Sequence, residues 1–307
     1  MTGGTVPVQP EISRFQAWMM AIRPKTLPAG AVPVIIGTAM AAADGRFLPE
    51  AAGVALVCAL GIQVATNFIN EIYDFRKGAD TVERLGPTRT VAAGLISEKT
   101  MISVSVALLL VVFLLGLYLV FLAGWPILVV GLLSIFFAWA YTGGPYPIAY
   151  SGLGDLFVFV FFGLVAVGGT YYVQAGAVTF PVLTAAIAPG IFSVNILLVN
   201  NIRDIDTDRN VGKMTLPARI GGGNARWLYA GLTVVAYFVP IWMWMTGYTV
   251  WCLLSWLSLP FAAGQIIGLF RRDGRELNAI LGGTGKVMTL YGALFAAGLF
   301  VPAFIKL

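Results

Sequence analysis

The sequence predicts an all-α membrane protein whose helices cross the bilayer nine times, and three observations carry that prediction. The composition is 59% hydrophobic and only 11% charged, with a mean hydropathy of +0.87, well beyond soluble globular domains. The apolar residues gather into runs of about 20, the length that a helix needs to span hydrocarbon. The basic residues fall almost entirely into alternate loops, as they do in proteins that pass repeatedly through a membrane.

Taken in order, the apolar runs lie near residues 26–43, 51–71, 101–123, 125–141, 153–174, 178–201, 226–246, 249–270 and 287–305. Pro28 and Pro33 interrupt the first run; Pro126 opens the fourth, where a missing N–H costs little. Residues 26–305 therefore read as one transmembrane unit. The leading segment, residues 1–25, is mixed and polar, without the short apolar core and cleavage site of a secretory signal, so the first span is expected to stay attached. Phe15, Trp18, Met19 and Ile22 share one helical face there, which reads as a short helix in the membrane interface or as a mere tether.

Orientation follows from the basic residues. Arg14, Arg23 and Lys25 precede the first span, and the loops after spans two, six and eight hold all but two of the rest, so 17 of 19 share one side. Only Arg46 and Lys306 fall on the other. The positive-inside rule makes the crowded side cytoplasmic, with the N-terminus on that side, and places the chain in the cell membrane.

The chain contains no histidine, so chemistry that needs an imidazole base or a histidine-held metal is excluded. Cys58 and Cys252 sit inside apolar runs, where a thiol behaves as a small hydrophobe. Seven of the fourteen acids, however, occupy two short stretches on the cytoplasmic side: Glu71, Asp74, Asp80 and Glu83 after span two, and Asp204, Asp206 and Asp208 after span six. Asn70 and Asp74 stand four apart, and Asn200, Asp204 and Asp208 repeat that spacing, so each helix end presents a row of oxygens on one face. One such row reads equally well as solvated loop acids. Two matching rows point to a hard cation, Mg²⁺ before Ca²⁺ or Mn²⁺. Mg²⁺ is commonly held by one or two carboxylates together with substrate phosphates, and Arg76, Lys77, Arg89, Arg203, Lys213 and Arg219 are available to meet such phosphates. A diphosphate carrying a long hydrocarbon tail explains both the charged rim and the spans around it.

At this point the residues resemble a known family. The strings "NEIYDFRKGAD" and "GPTRTVAAGLIS", then "NNIRDIDTDRNVGKMTLPARIG", are similar to the two aspartate-rich motifs of the UbiA superfamily of intramembrane prenyltransferases. "AIRPKTLPAGAVPVIIGTA", "YTGGPYPIAYSGLGDLFVFVFFG" and "GGTYYVQ" resemble its branch acting on 1,4-dihydroxy-2-naphthoate in menaquinone synthesis. The likeness runs from about residue 21 to residue 221. It implies nine helices around a central cavity, with the two motifs facing each other across it. Carried over, it implies that Asn70, Asp74 and Asp80 with Asp204 and Asp208 hold Mg²⁺, and that Arg89, Lys213 and Arg203 meet the diphosphate; Lys77, in the same basic cluster, is expected to join them. The commonest first motif of the superfamily has its second aspartate four residues after the first. Here that position is Gly78, and Asp80 comes two residues later, as in the naphthoate branch.

The implied reaction ionises the allylic C–O bond of a polyprenyl diphosphate, and an electron-rich ring then attacks the allylic carbon. In the naphthoate branch the prenyl group replaces a carboxylate, so no strong base is required. Arg23 or Lys25 can receive that carboxylate or can simply flank the first span; Asp155 can orient an acceptor hydroxyl or serve as a helix N-terminal acid. Tyr141, Tyr146, Tyr150, Tyr171 and Tyr172 are placed either for contacts with cation and acceptor or in an interfacial belt. Other aromatic acceptors, such as 4-hydroxybenzoate, homogentisate or a chlorin, would use the same metal site. A secondary transporter is the alternative of another class, but its ionisable residues belong near the bilayer midplane, where this chain has almost none. The expected partners are the two substrates and membrane lipid, with no nucleic acid.

Overall fold

The computed structural model describes residues 12–78 and 84–304. Asp80 and Glu83 lie outside the described residues, as does Lys306. No strand occurs among the described residues. Helix α1 (Arg14–Ile22) begins with a capping box in which Ser13 and Gln16 satisfy each other's backbone N–H. It ends at Arg23, which takes a left-handed φ of 56°, a conformation that costs a residue with a Cβ free energy and is kept where surrounding contacts demand it. The chain continues through α2 (Leu27–Ala43), α3 (Pro49–Arg76), α4 (Glu98–Ala123), α5 (Trp125–Ala140), α6 (Gly154–Phe159), a π-helical turn at Val160–Val165 and α7 (Ala166–Ala175). Then come α8 (Phe180–Arg203), the short α9 (Ile205–Asn210) and α10 (Leu216–Ile220), α11 (Gly222–Met245), a 3₁₀ stretch Val250–Ser258 leading into α12 (Leu259–Arg271), and α13 (Leu277–Phe304).

Eight helical stretches among these are long and apolar enough to cross a bilayer, while α5 is apolar but only 16 residues long. The contacts of α5 nevertheless run the full depth of the bundle. Its first turn follows the end of α4, with Ile127 packed beside Leu119, Ala51 and Val173. Its last turn puts Trp139 Nε1 2.7 Å from the Tyr73 hydroxyl near the end of α3. All nine apolar runs read from the sequence are thus helical, most within a few residues of their expected limits; α3 runs five residues past its expected end, and α13 begins ten residues before residue 287, at Leu277.

Helix α8 is the hub, with 83% of its most apolar window buried against 11% for α4, which lies on the outside of the bundle. Close approach of α8 to the π-helical turn requires glycine on both sides. A Cβ on Gly163 would stand 2.9 Å from the Ala186 carbonyl oxygen, and one on Gly190 2.9 Å from the Phe159 ring. The π turn widens the helix at that crossing. The leading helix α1 divides its apolar face: Trp18 packs edge-on against Phe68 of α3 at 5.5 Å, whereas Phe15 and Met19 are exposed. The single face that the sequence suggested is therefore shared between the bundle and the surroundings.

The helices alternate in direction, so α3, α5 and α8 end, and α4, α6 and α13 begin, at one end of the bundle. Arg203 Nη1 donates to Asn278 at the start of α13, and Arg76 bonds Glu98 at the start of α4. Asp44 marks the opposite end, where the Tyr171 and Tyr248 hydroxyls donate to its carboxylate.

Candidate active site

The end of α3 carries the first acidic row. Asn70 accepts from the Thr142 hydroxyl at 2.8 Å. One turn later Asp74, 5% exposed, accepts from Arg89 Nη2 at 2.8 Å and from the Tyr150 hydroxyl at 3.3 Å. Arg89 reaches Asp74 because Glu71 fixes the segment after it: one carboxylate oxygen, Oε2, accepts from the Thr90 N–H and hydroxyl and from the Val91 N–H. Glu71, counted in the sequence only as one acid of its cluster, is what sets this loop.

The second row sits at the end of α8. Arg203 and Asp204 form a two-pronged pair, Nη2–Oδ2 at 2.6 Å and Nε–Oδ1 at 2.8 Å. Arg203 also donates to Asn200 and Asn278, and Asn278 in turn bonds the Leu85 carbonyl. This network ties α8 to α13 and to the loop after α3. Arg203 therefore binds protein groups in the structure, although the resemblance assigns it to diphosphate. Asp208, on α9, meets Lys213 Nζ at 3.1 Å, while its Oδ2 is buried without a hydrogen-bond partner. Burial pushes the Asp208 carboxyl up to about 6, opposed by Lys213 and reinforced by Asp204 and Asp74.

Tyr150 joins the two rows. Its hydroxyl touches Asp74, Lys77 Nζ lies 4.0 Å from its ring centroid, and Lys213 Nζ lies 5.8 Å from it. These are cation–π distances. Lys77 also donates to the Thr142 carbonyl at 2.8 Å. Partial burial lowers the Lys77 ammonium, and Asp74 and Lys213 act on it in opposite directions. In the sequence Tyr150 was one of five tyrosines of equal standing; the pairing across chain positions 74, 150 and 213 has no local signal.

Below these groups a cavity of about 350 Å³ runs into the bundle. Asn70, Asp74, Arg89, Asn200 and Lys213 line its polar end together with Arg23, while Leu119, Val120, Ile127, Phe161 and Val173 line its depth. Asp155 lines it too, 8% exposed and with Oδ1 unpartnered. Tyr141 stands beside it: a Cβ on Gly154 would lie 3.1 Å from the Tyr141 hydroxyl. Two acceptor candidates are placed elsewhere. Tyr146 is 91% exposed, on the glycine- and proline-rich turn between α5 and α6, and Lys25 is exposed against Gly282 of α13.

No group of three or more acidic or thiol ligands close enough to hold a metal occurs among the described residues. The donors still suit a hard cation. They are all oxygens, and the buried unpartnered Oδ2 of Asp208 is an anionic acceptor that protein groups leave unsatisfied.

Residues 31–291 match the UbiA prenyltransferase family. The chain is 37% identical over 289 residues to the 1,4-dihydroxy-2-naphthoate octaprenyltransferase of Mycobacterium tuberculosis, covering 94% of this chain and 97% of that one. It is 36% identical to the enzyme of the same name from Escherichia coli, covering 95% and 97%. Its fold is similar to that of a UbiA homolog from Archaeoglobus fulgidus bound to GPP and Mg²⁺, with a TM-score of 0.68 at 16% identity over 93% of this chain and 100% of that one.

Proposed function

We propose that this chain, which belongs to the UbiA prenyltransferase family, transfers a polyprenyl group from its diphosphate to 1,4-dihydroxy-2-naphthoate, releasing CO₂ and diphosphate. The observation that carries the reading is the convergence of Asp74, Lys77 and Lys213 on Tyr150, with Lys213 paired in turn to Asp208 of the second acidic row, beside the polar end of an apolar cavity. The names of the relatives supply the acceptor.

In this reading Mg²⁺ would be held by Asn70, Asp74 and Asp208 together with Asp80, while Asp204, with both oxygens on Arg203, holds that arginine in place. Bound there, it would neutralise charge developing on the departing diphosphate. Arg89, Lys213 and Lys77 take up the rest of that charge, in a site where apolar walls strengthen each interaction. The C–O bond breaks with its electron pair on the diphosphate, and the ring carbon bearing the carboxylate bonds to the prenyl C1. Loss of CO₂ returns the ring to aromaticity, so no residue has to remove a proton from carbon. Arg23 receives the acceptor carboxylate, and Asp155 with Tyr141 meets the ring hydroxyls. The apolar depth of the cavity takes the tail and excludes the water that would quench the allylic cation. The positive-inside rule puts this end of the bundle on the cytoplasmic side, and with α5 counted as a ninth crossing the two ends of the chain lie on opposite sides of the cell membrane.

The test is direct. Purified protein receives an all-trans polyprenyl diphosphate and 1,4-dihydroxy-2-naphthoate, with Mg²⁺ or with EDTA, and the prenylated naphthoquinol or its quinone is followed by mass spectrometry. Metal-dependent product is expected. Product with 4-hydroxybenzoate or homogentisate instead would move the chain to another acceptor, and no transfer to any acceptor by folded protein would remove the reading.

A further inference from the structure

Gln63 is an amide inside the membrane-spanning part of α3, 6% exposed and on the cavity wall. Polar groups at such depth are costly unless they have a partner or a task. Its surroundings fix its orientation. Gly30 of α2 lets the two helices close, because a Cβ there would stand 3.3 Å from the Gln63 Cβ and 3.2 Å from the Ala59 carbonyl oxygen. The Thr26 hydroxyl donates its single proton to the Arg23 carbonyl at 3.0 Å. It is therefore an acceptor towards both amides beside it, Asn67 Nδ2 at 3.2 Å and Gln63 Nε2 at 3.3 Å. With the nitrogen of Gln63 committed to Thr26, the oxygen is the atom left over, and Oε1 is buried with no hydrogen-bond partner. A buried acceptor left unsatisfied is expensive, so the cavity lacks a donor that a ligand would bring.

The chemistry of that ligand is constrained. A prenyl diphosphate has no hydrogen-bond donor on its tail, and a carboxylate has none either. A phenolic hydroxyl has one. Thr26, Gln63 and Asn67 form a polar strip on the cavity wall beside Arg23, one of the acceptor-binding candidates. We propose that Gln63 is a specificity-determining residue that accepts a hydrogen bond from a ring hydroxyl of the aromatic acceptor. The inference rests on the prenyl-transfer reading and adds to it a residue that selects for hydroxyl-bearing rings.

The experiment compares wild type with Gln63→Met, which keeps length and volume but removes the acceptor. Turnover of 1,4-dihydroxy-2-naphthoate is measured with each substrate varied, together with inhibition constants for 1-hydroxy-2-naphthoate and 4-hydroxy-2-naphthoate. Wild type is expected to discriminate against the analogue lacking the contacted hydroxyl by on the order of 10- to 100-fold. In Gln63→Met that discrimination should fall to within about twofold, with the KM for the acceptor raised and the KM for the diphosphate unchanged. Unchanged discrimination in an active variant overturns the proposal, as does a rise confined to the diphosphate KM. A variant that loses activity uniformly, with a lowered melting temperature and intact discrimination, shows a structural role only and equally overturns it. A wild type inactive towards the naphthoate but active on another hydroxyarene defeats the acceptor assignment, and discrimination against that ring's own deoxy analogue then decides for Gln63: lost in Gln63→Met it supports the proposal, retained it overturns it. A wild type inactive towards every acceptor removes both.

Discussion

Asp204 and Asp208 stand one helical turn apart in the same row, and the structure gives them opposite circumstances. Asp204 is saturated: both its oxygens meet the guanidinium of its neighbour Arg203, which also bonds Asn278 at the start of α13. Asp208 shares one oxygen with Lys213 and leaves the other without a partner. Equal spacing in sequence therefore does not mean equal function. One carboxylate anchors the end of α8 against α13, and the other remains available to a cation or a substrate.

The contrast predicts different failures. Asp208→Asn removes an anion from the proposed reaction site, and activity should fall on the order of a thousandfold or more while the melting temperature holds; activity within tenfold of wild type would make Asp208 a bystander. Arg203→Met leaves Asp204 as a buried charge without its counterion, and breaking such a pair costs about 3–5 kcal/mol. The expected readout is lost thermal stability in detergent, and a stable but inactive Arg203→Met protein would move this arginine into the reaction site. The acid range separates the two further. With the Asp208 carboxyl pushed up to about 6, protons compete with the metal below that pH. Apparent Mg²⁺ affinity should then weaken about tenfold between pH 7 and pH 5, a shift that Asp208→Asn should abolish. The smallest effect is expected at Tyr150→Phe, which keeps the ring between the lysines and removes a 3.3 Å hydrogen bond to Asp74. About 1 kcal/mol, or roughly fivefold in kcat/KM, should be lost, whereas Tyr150→Leu should cost more because the ring goes too.

Much of this arrangement was legible in the sequence. Long apolar runs are a one-dimensional signal, and each became a helix. The acidic rows were visible because the spacing of four is local. What escaped were pairings made by chain return. Nothing near Tyr150 announces that it will sit between Asp74 and Lys213, and nothing near Arg203 tells that it will also bond Asn278 at the start of α13. Gln63 and Thr142 were passed over because a lone polar residue in an apolar run has no periodicity to detect. Tyr146 resembled its neighbours by type alone, and the turn that carries it leads it outward.

The shortness of α5 has a mechanical consequence. Sixteen helical residues extend about 24 Å, less than the roughly 30 Å of an average hydrocarbon layer. Lipids beside a short span adjust by local thinning. Since the end of α5 is next to Tyr73 and leads to Thr142, the water boundary would dip toward Lys77 and Tyr150 on that flank. An amphiphile already dissolved in the leaflet would then meet the basic groups at the depth where its own headgroup floats.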